Sequence, residues 1–115
     1  MKVKFRLTFD ETERWLAVSA FTEFRNIIIR QTGDSSLEMD EILQQLIKAK
    51  NRKGVCAVTL NVRQKTILVN GISRYLKEKS TSDQPMTDTK ALLNKIIDTP
   101  ATCTQRRMMC GEAAR

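Results

Sequence analysis

The side chains that could perform chemistry in this chain are carboxylates and cysteines, because the 115-residue sequence contains no histidine. The absence of imidazole excludes Ser-His-Asp and Cys-His catalysis, Cys2His2 zinc fingers and histidine acid–base chemistry. Metal-dependent hydrolysis needs at least two acids that converge from different elements. The acids at 10–13 and 34–41 are instead local clusters that helix capping and the helix dipole explain. We therefore expect a protein without enzyme activity.

The cysteines and glycines do not suggest a cofactor site. Cys56, Cys103 and Cys110 form no CxxC pair, and a tetrahedral zinc site needs a fourth ligand. The four glycines are scattered and build no phosphate-binding loop. We expect no metal and no other cofactor. The odd number of cysteines, the lack of a signal-peptide pattern and apolar runs of no more than four residues predict a reduced, cytoplasmic protein with no membrane partner.

The most informative feature is the uneven distribution of charge along a chain of net charge +7. Residues 48–79 hold nine cations and one acid, a net charge of +8, which leaves the remainder about neutral. Such an excess attracts phosphate backbones or acidic protein surfaces. The alternative is that these cations belong to a solvated helix end and hairpin rim, where they keep the protein soluble. The predicted basic patch comprises Lys48, Lys50, Arg52, Lys53, Arg63, Lys65, Arg74, Lys77 and Lys79.

A second basic row alternates with apolar residues near the N-terminus and contains Lys2, Lys4 and Arg6. Alternation places Phe5 and Phe9 on the opposite face from these cations, so we predict that both rings lie in the core rather than stack on bases. Trp15 and Tyr75 are the candidate interface anchors. The alternative for Trp15 is a boundary position that covers the edge of the core.

These side chains are expected to be positioned by an α+β fold in which a small antiparallel sheet packs on two antiparallel helices. Period-two alternation predicts strands over 2–9 and 55–62. Apolar residues at helical spacing predict helices over 11–31 and 36–53. The predicted core between the helices and the sheet consists of Leu16, Phe24, Ile28, Ile42, Leu43 and Leu46.

The segment 64–79 allows two interpretations. One is a hairpin loop followed by a strand over 66–69 and a short helix over 72–79; the other is a single helix from Gln64 to Lys79. We prefer the strand, because Asn70-Gly71 is unfavourable inside a helix and common in turns.

The C-terminal part is expected to add one short helix. We predict an α+β core domain over 1–79, a linker and short helix docked on that core over 80–99, and a flexible tail over 100–115. The apolar face of this helix contains Leu92, Leu93, Ile96 and Ile97. If it did not dock on the core, the same face could form a homodimer.

Three stretches resemble a known class of protein: LTFDETE over 7–13, FRNII over 24–28, and MDEIL over 39–43 followed by Ala49-Lys50. They are similar to small accessory proteins of Gram-positive phages and mobile elements, of which anti-CRISPR inhibitors are one class. The resemblance covers about 5–53 and supplies no individual functional residues. It implies a short, non-enzymatic protein that binds and modulates host or defence machinery.

Two functional hypotheses follow. In the first, the protein inhibits or modulates a nucleic-acid-processing enzyme or a nucleoprotein complex through a basic surface. In the second, residues 48–79 contact the phosphates of DNA or RNA directly. The sequence contains no evident recognition helix with groove-reading side chains at its start, which argues against sequence-specific readout.

Overall fold

The computed structural model describes residues 3–34, 36–79 and 87–103. The fold is α+β, as predicted. In chain order its elements are β1 (Val3–Phe9), α1 (Glu11–Thr32), α2 (Leu37–Lys48), β2 (Asn51–Arg52), β3 (Val55–Asn61), α3 (Val62–Lys79), α4 (Thr87–Asp98) and β4 (Ala101–Cys103).

The strands form one antiparallel sheet in the order β2-β3-β1-β4. In its centre, β1 pairs with β3 from Lys4 opposite Asn61 to Phe9 opposite Cys56. One face of the sheet is buried against α1 and α3, and its side chains alternate with exposed ones along β3. The buried residues of this face are Leu7, Phe9, Cys56, Val58 and Leu60.

Helix α1 begins and ends as its sequence predicts. The Asp10 carboxylate accepts the Glu13 backbone N–H at 2.7 Å, and the Glu13 carboxylate accepts the Asp10 N–H at 2.9 Å. These two hydrogen bonds form a capping box. At the other end, Gly33 adopts the left-handed conformation (φ 87°) and donates its N–H to the Ile29 carbonyl.

Helix α2 ends at Lys48, five residues before the predicted end at residue 53. Two interactions stop it. The Arg14 guanidinium donates hydrogen bonds to the carbonyls of Leu46 and Ile47. Asn51 and Arg52 pair with β3 instead of continuing the helix.

The turn between β2 and β3 explains this pairing. Lys53 and Gly54 both have positive φ, 55° and 85°, as in the two-residue turns that match strand twist. The Asn51 side chain also accepts the Gly54 N–H at 2.8 Å. Gly54, which directly follows the predicted helix over 36–53, therefore closes a hairpin and does not end a helix.

The preferred strand at 66–69 is wrong, because α3 runs unbroken from Val62 to Lys79. Its start is capped reciprocally: the Asn61 side chain accepts the Gln64 N–H at 2.7 Å, and the Gln64 side chain accepts the Asn61 N–H at 3.0 Å. This capping signal is present in the sequence and favours the alternative interpretation.

Packing explains why the helix contains a glycine. A Cβ on Gly71 would lie 2.6 Å from the Phe21 ring and 2.7 Å from the Phe24 ring. The missing side chain lets α1 and α3 approach closely, and burial of the two aromatic rings outweighs the helix propensity that glycine loses, about 1 kcal/mol relative to alanine.

The C-terminal elements contact both layers. Helix α4 contacts α1 and α3, with Leu92 and Ile96 buried. The prediction of a tail from residue 100 onward is wrong for Ala101–Cys103, which pairs with Val3–Phe5 of β1. The remaining linker and tail residues, 80–86 and 104–115, lie outside the described residues.

The predicted core residues fall into two groups. Ile42, Leu43 and Leu46 are buried. Leu16, Phe24 and Ile28 are partly buried and pack against the core from its margin. Among the described residues, no helix has the length and apolar character that a bilayer span requires.

Gly71→Ala is expected to lower the free energy of unfolding by about 1–3 kcal/mol, because the Phe21 and Phe24 rings must move to accept a methyl group. Urea denaturation measures this change. Asn70→Ala is the matched control, because Asn70 is exposed on the same helix turn and alanine is the better helix former. A Gly71→Ala protein at least as stable as Asn70→Ala would contradict the packing argument.

Candidate binding groove

The sheet face opposite the helices is basic. Along β1 it presents Lys4, Arg6 and Thr8, and along β3 it presents the exposed residues Val55, Ala57 and Thr59. Arg52 of β2 lies opposite Val55 in register and therefore belongs to the same face. None of the four strands contains an acid.

A shallow groove of about 550 Å³ lies where this face meets the end of α2. Its charged side chains are all cationic: Arg6 comes from β1, Lys48 from the end of α2, Lys50 from the α2–β2 connection and Arg52 from β2. We call this the basic groove. It is completed by Ala49, Val55 and Ala57. The charge of its lining favours an anionic group.

Other members of the predicted patch have partners elsewhere. Arg63 forms a bidentate pair with Glu38, which connects the first turns of α3 and α2. Arg74 lies 3.6 Å from Glu78 on the same helix. These arginines are held by carboxylates and do not line the groove.

Lys65 has a structural role. Its ammonium donates to the carbonyls of Ile97 and Thr99, at 3.2 and 3.3 Å, and thereby caps the end of α4. It also lies 4.1 Å from the centre of the Phe5 ring. Phe5 is half-buried beneath it, on the inner side of the sheet.

The remaining predicted residues are dispersed. Lys53 is exposed at the tip of the β2–β3 hairpin. Lys77 and Lys79 are exposed in the last turn of α3, where the Lys79 ammonium lies 6.0 Å from the Tyr75 ring. Tyr75 is half-buried against the core, and Lys2 lies outside the described residues. The structure thus brings together Lys48, Lys50 and Arg52 from the predicted patch with Arg6 from the second row.

The groove depends on a buried arginine that sequence reasoning missed. Arg14 of α1 is only 7% exposed. Its guanidinium donates to the Leu46 and Ile47 carbonyls at 3.1 and 2.9 Å, and to the Glu11 carboxylate at 2.6 Å. Arg14 therefore fixes the end of α2, from which Lys48 and Lys50 extend into the groove.

Glu11 continues this network into the sheet. Its second carboxylate oxygen accepts a hydrogen bond from the Asn51 amide at 3.0 Å and contacts the Cys56 thiol at 3.5 Å. Hydrogen bonds from Arg14 and then Asn51 lower the pKa of Glu11 to about 2. Burial raises the pKa of the Cys56 thiol, so it remains protonated at neutral pH. The four side chains connect α1, α2, β2 and β3.

Trp15 is exposed, as an interface anchor would be, with 49% of its surface accessible. Its indole N–H donates to Glu11 at 2.9 Å, and the Arg14 guanidinium lies 4.5 Å from the ring centre. The indole is therefore held in one orientation beside the network.

The sequence carries little signal for this network. Glu11 and Arg14 have the spacing of an ordinary surface pair on a helix. The two carbonyls that accept hydrogen bonds from the buried Arg14 lie 32 and 33 residues further along the chain. In the described ranges, no cluster of three or more Cys, Asp or Glu side chains could hold a metal ion.

Compared with protein-family models, curated proteins and solved structures, the chain shows no match.

Arg14→Met is expected to lower the free energy of unfolding by about 1–3 kcal/mol, because two helix-terminal carbonyls and Glu11 lose a charged donor. Urea denaturation tests this. The control is Arg74→Ala, which removes only a long surface pair and should change the stability by about 0.5 kcal/mol or less. If the two substitutions lowered the free energy of unfolding equally, the hydrogen bonds of Arg14 would not stabilise the fold more than a surface ion pair does.

Glu11→Gln is expected to destabilise the protein most above pH 5. A carboxylate whose pKa falls from 4.5 to about 2 on folding contributes stability above pH 4.5 and loses it as the pH falls toward 2. The difference in melting temperature between the parent and Glu11→Gln should therefore narrow between pH 5 and 2. Glu41→Gln, on the exposed side of α2, is the control. A difference that stays constant over this range would contradict the assignment.

Proposed function

We propose that this protein is a non-enzymatic binding protein that modulates a nucleic-acid-processing enzyme or a nucleoprotein complex through the basic groove. The observation that carries the proposal is the convergence of Arg6, Lys48, Lys50 and Arg52 on one groove without an acid in its lining. The positive potential of such a groove favours anionic partner surfaces. The resemblance of residues 5–53 to phage and mobile-element accessory proteins supports the class of partner.

The size of the groove favours a protein or nucleoprotein partner over free nucleic acid. Four cations that neutralise four phosphates would give a log–log salt slope of about −3.6 on duplex DNA, whereas proteins that rely on phosphate contacts commonly use about six to ten. Arg63 and Lys65, which would have enlarged the footprint, are held by Glu38 and by helix carbonyls. A footprint of this size matches a compact acidic patch, or nucleic acid already held by its enzyme.

The open face also lacks a platform for bases. Modules that bind single strands stack bases on exposed aromatic side chains. In the described part of β1, Phe5 and Phe9 lie on the side of the helices, and the groove is lined by no ring. Trp15 lies on α1, outside the groove lining, where it suits a protein contact.

Direct contact with DNA or RNA phosphates is the second candidate. It is favoured by the acid-free strands, which display Arg6 and Arg52 on one face. Titration of fluorescent duplex and single-stranded DNA and RNA with increasing salt measures this interaction. Micromolar binding at physiological salt, lost on reversal of the groove charges, would favour this candidate.

The main proposal is tested by affinity capture from nuclease-treated lysate of the cell that carries the gene. We expect the parent protein to recover a nucleic-acid-processing enzyme, and Lys50→Glu/Arg52→Glu to reduce that recovery at least about tenfold, because rim charges govern such encounters. Exposed charges contribute little to folding, so the melting temperature should change little.

The control is Arg74→Glu/Lys77→Glu, which makes the same change in net charge on α3, outside the groove. Retained capture by this control would locate binding to the groove. Equal loss in both variants would reduce the interaction to net charge, and capture that disappears on nuclease treatment would argue for the second candidate.

A further inference from the structure

One edge of the sheet is incomplete. β2 consists of two residues and pairs only with Val55 and Cys56, whereas β3 continues to Asn61. Beyond Cys56, the described residues supply no strand on this side of β3. The segment 57–61 is therefore an open strand edge next to the basic groove, which Ala57 itself lines.

The register shows which backbone groups face this edge. In a hairpin with a two-residue turn, the residues that flank the turn exchange hydrogen bonds, so the N–H and C=O of Val55 point toward β2. Backbone direction repeats every second residue, so the N–H and C=O of Ala57, Thr59 and Asn61 point the same way. The Asn61 N–H bonds to the Gln64 side chain, which agrees with this assignment. Ala57 and Thr59 face the open edge.

The geometry points to strand addition: we propose that an extended acidic segment of the protein partner pairs with the backbone of Ala57 and Thr59. The inference rests on the proposed function and specifies the partner's chemistry. An added strand over 57–61 spans about 17 Å. Alternate side chains of that strand would lie on the open sheet face, where Arg52 and Arg6 favour carboxylates.

Charge selects this occupant over a second copy of the chain. Antiparallel pairing of two β3 edges would bring two basic grooves together, each with four cations and no acid in its lining. Like charges that face each other oppose association, and acidic side chains would neutralise the same groove. The added strand would also form hydrogen bonds with the edge-facing N–H and C=O groups of Ala57 and Thr59.

The test uses Thr59→Pro, which removes the backbone N–H of residue 59 from the open edge. The hydrogen bonds between β3 and β1 stay in place, because the backbone N–H and C=O of Thr59 point away from β1. Proline is tolerated in a strand where its nitrogen faces solvent. The control Thr59→Val keeps the N–H and the branched shape. The probe is a capped, fluorescent ten-residue peptide of alternating Thr and Glu, and the Thr-Lys peptide is its charge control. We expect Thr59→Pro to weaken binding of the Thr-Glu peptide about tenfold, the effect of one lost hydrogen bond, and Thr59→Val to change it less than about threefold.

Hydrogen exchange on the unmodified protein keeps the proposal testable if Thr59→Pro fails to fold. Saturating Thr-Glu peptide should slow exchange of the Ala57 and Thr59 amides about tenfold or more. The backbone amides of Arg6 and Thr8 face the opposite edge of the sheet, where β1 extends beyond its pairing with β4. Slower exchange at these two amides instead would show that the peptide pairs with β1 and not with β3. Concentration-dependent slowing without peptide would identify a second copy as the occupant. Either result, or no slowing at all, overturns the proposal.

The two proposals fail separately. If reversal of Lys50 and Arg52 abolishes partner capture while Thr59→Pro and Thr59→Val bind alike, the groove is functional and strand addition is wrong. If the Thr-Glu peptide binds the β3 edge while the charge reversals leave partner capture unchanged, the edge accepts strands but the proposed function is wrong.

Discussion

The hydrogen bonds of Arg14 are the constraint on which the rest of the structure depends. Burial of a guanidinium is unfavourable unless its charge and its donors find partners. Here the two terminal nitrogens find three partners on two helices: Glu11 on α1, and the Leu46 and Ile47 carbonyls at the end of α2. Glu11 in turn binds Asn51 of β2. One side chain thus fixes the relative positions of α1, α2 and the hairpin.

The basic groove is a consequence of where α2 ends. Had the helix continued to residue 53, Lys48 and Arg52 would share one helix face as a solvated cationic end. Because the Arg14 guanidinium binds the Leu46 and Ile47 carbonyls, the chain leaves the helix at Ala49 and enters β2. This path places Arg52 on the open sheet face with Arg6. Cations that are neighbours in sequence are therefore arranged around the basic groove through a contact with an arginine that is distant in sequence.

Local signals predicted the parts of the fold that local interactions determine. β1 and α1 followed from alternation, the Asp10–Glu13 capping box and Gly33. The strand expected at 66–69 is wrong because helix propensity alone disfavours Asn70-Gly71 inside a helix, whereas close packing of Gly71 against Phe21 favours the helix. The extent of the site was missed for a similar reason. A count of charges along the sequence cannot tell that Glu38 binds Arg63 and that carbonyls bind Lys65.

The basic groove and the open edge of β3 have a common structural origin, which links the two proposed binding sites. The turn at Lys53-Gly54 sets Arg52 opposite Val55, and the end of α2 at Lys48 leaves only residues 49–52 to join helix and turn. Ala49 packs against the core, so the chain cannot follow β3 any further. The same short connection therefore creates a cationic rim and leaves the adjoining strand edge unpaired. In the proposed interaction, a ligand attracted by the basic groove would meet the edge-facing backbone donors and acceptors of Ala57 and Thr59 within the same few residues. Charge would then steer an association that backbone hydrogen bonds stabilise.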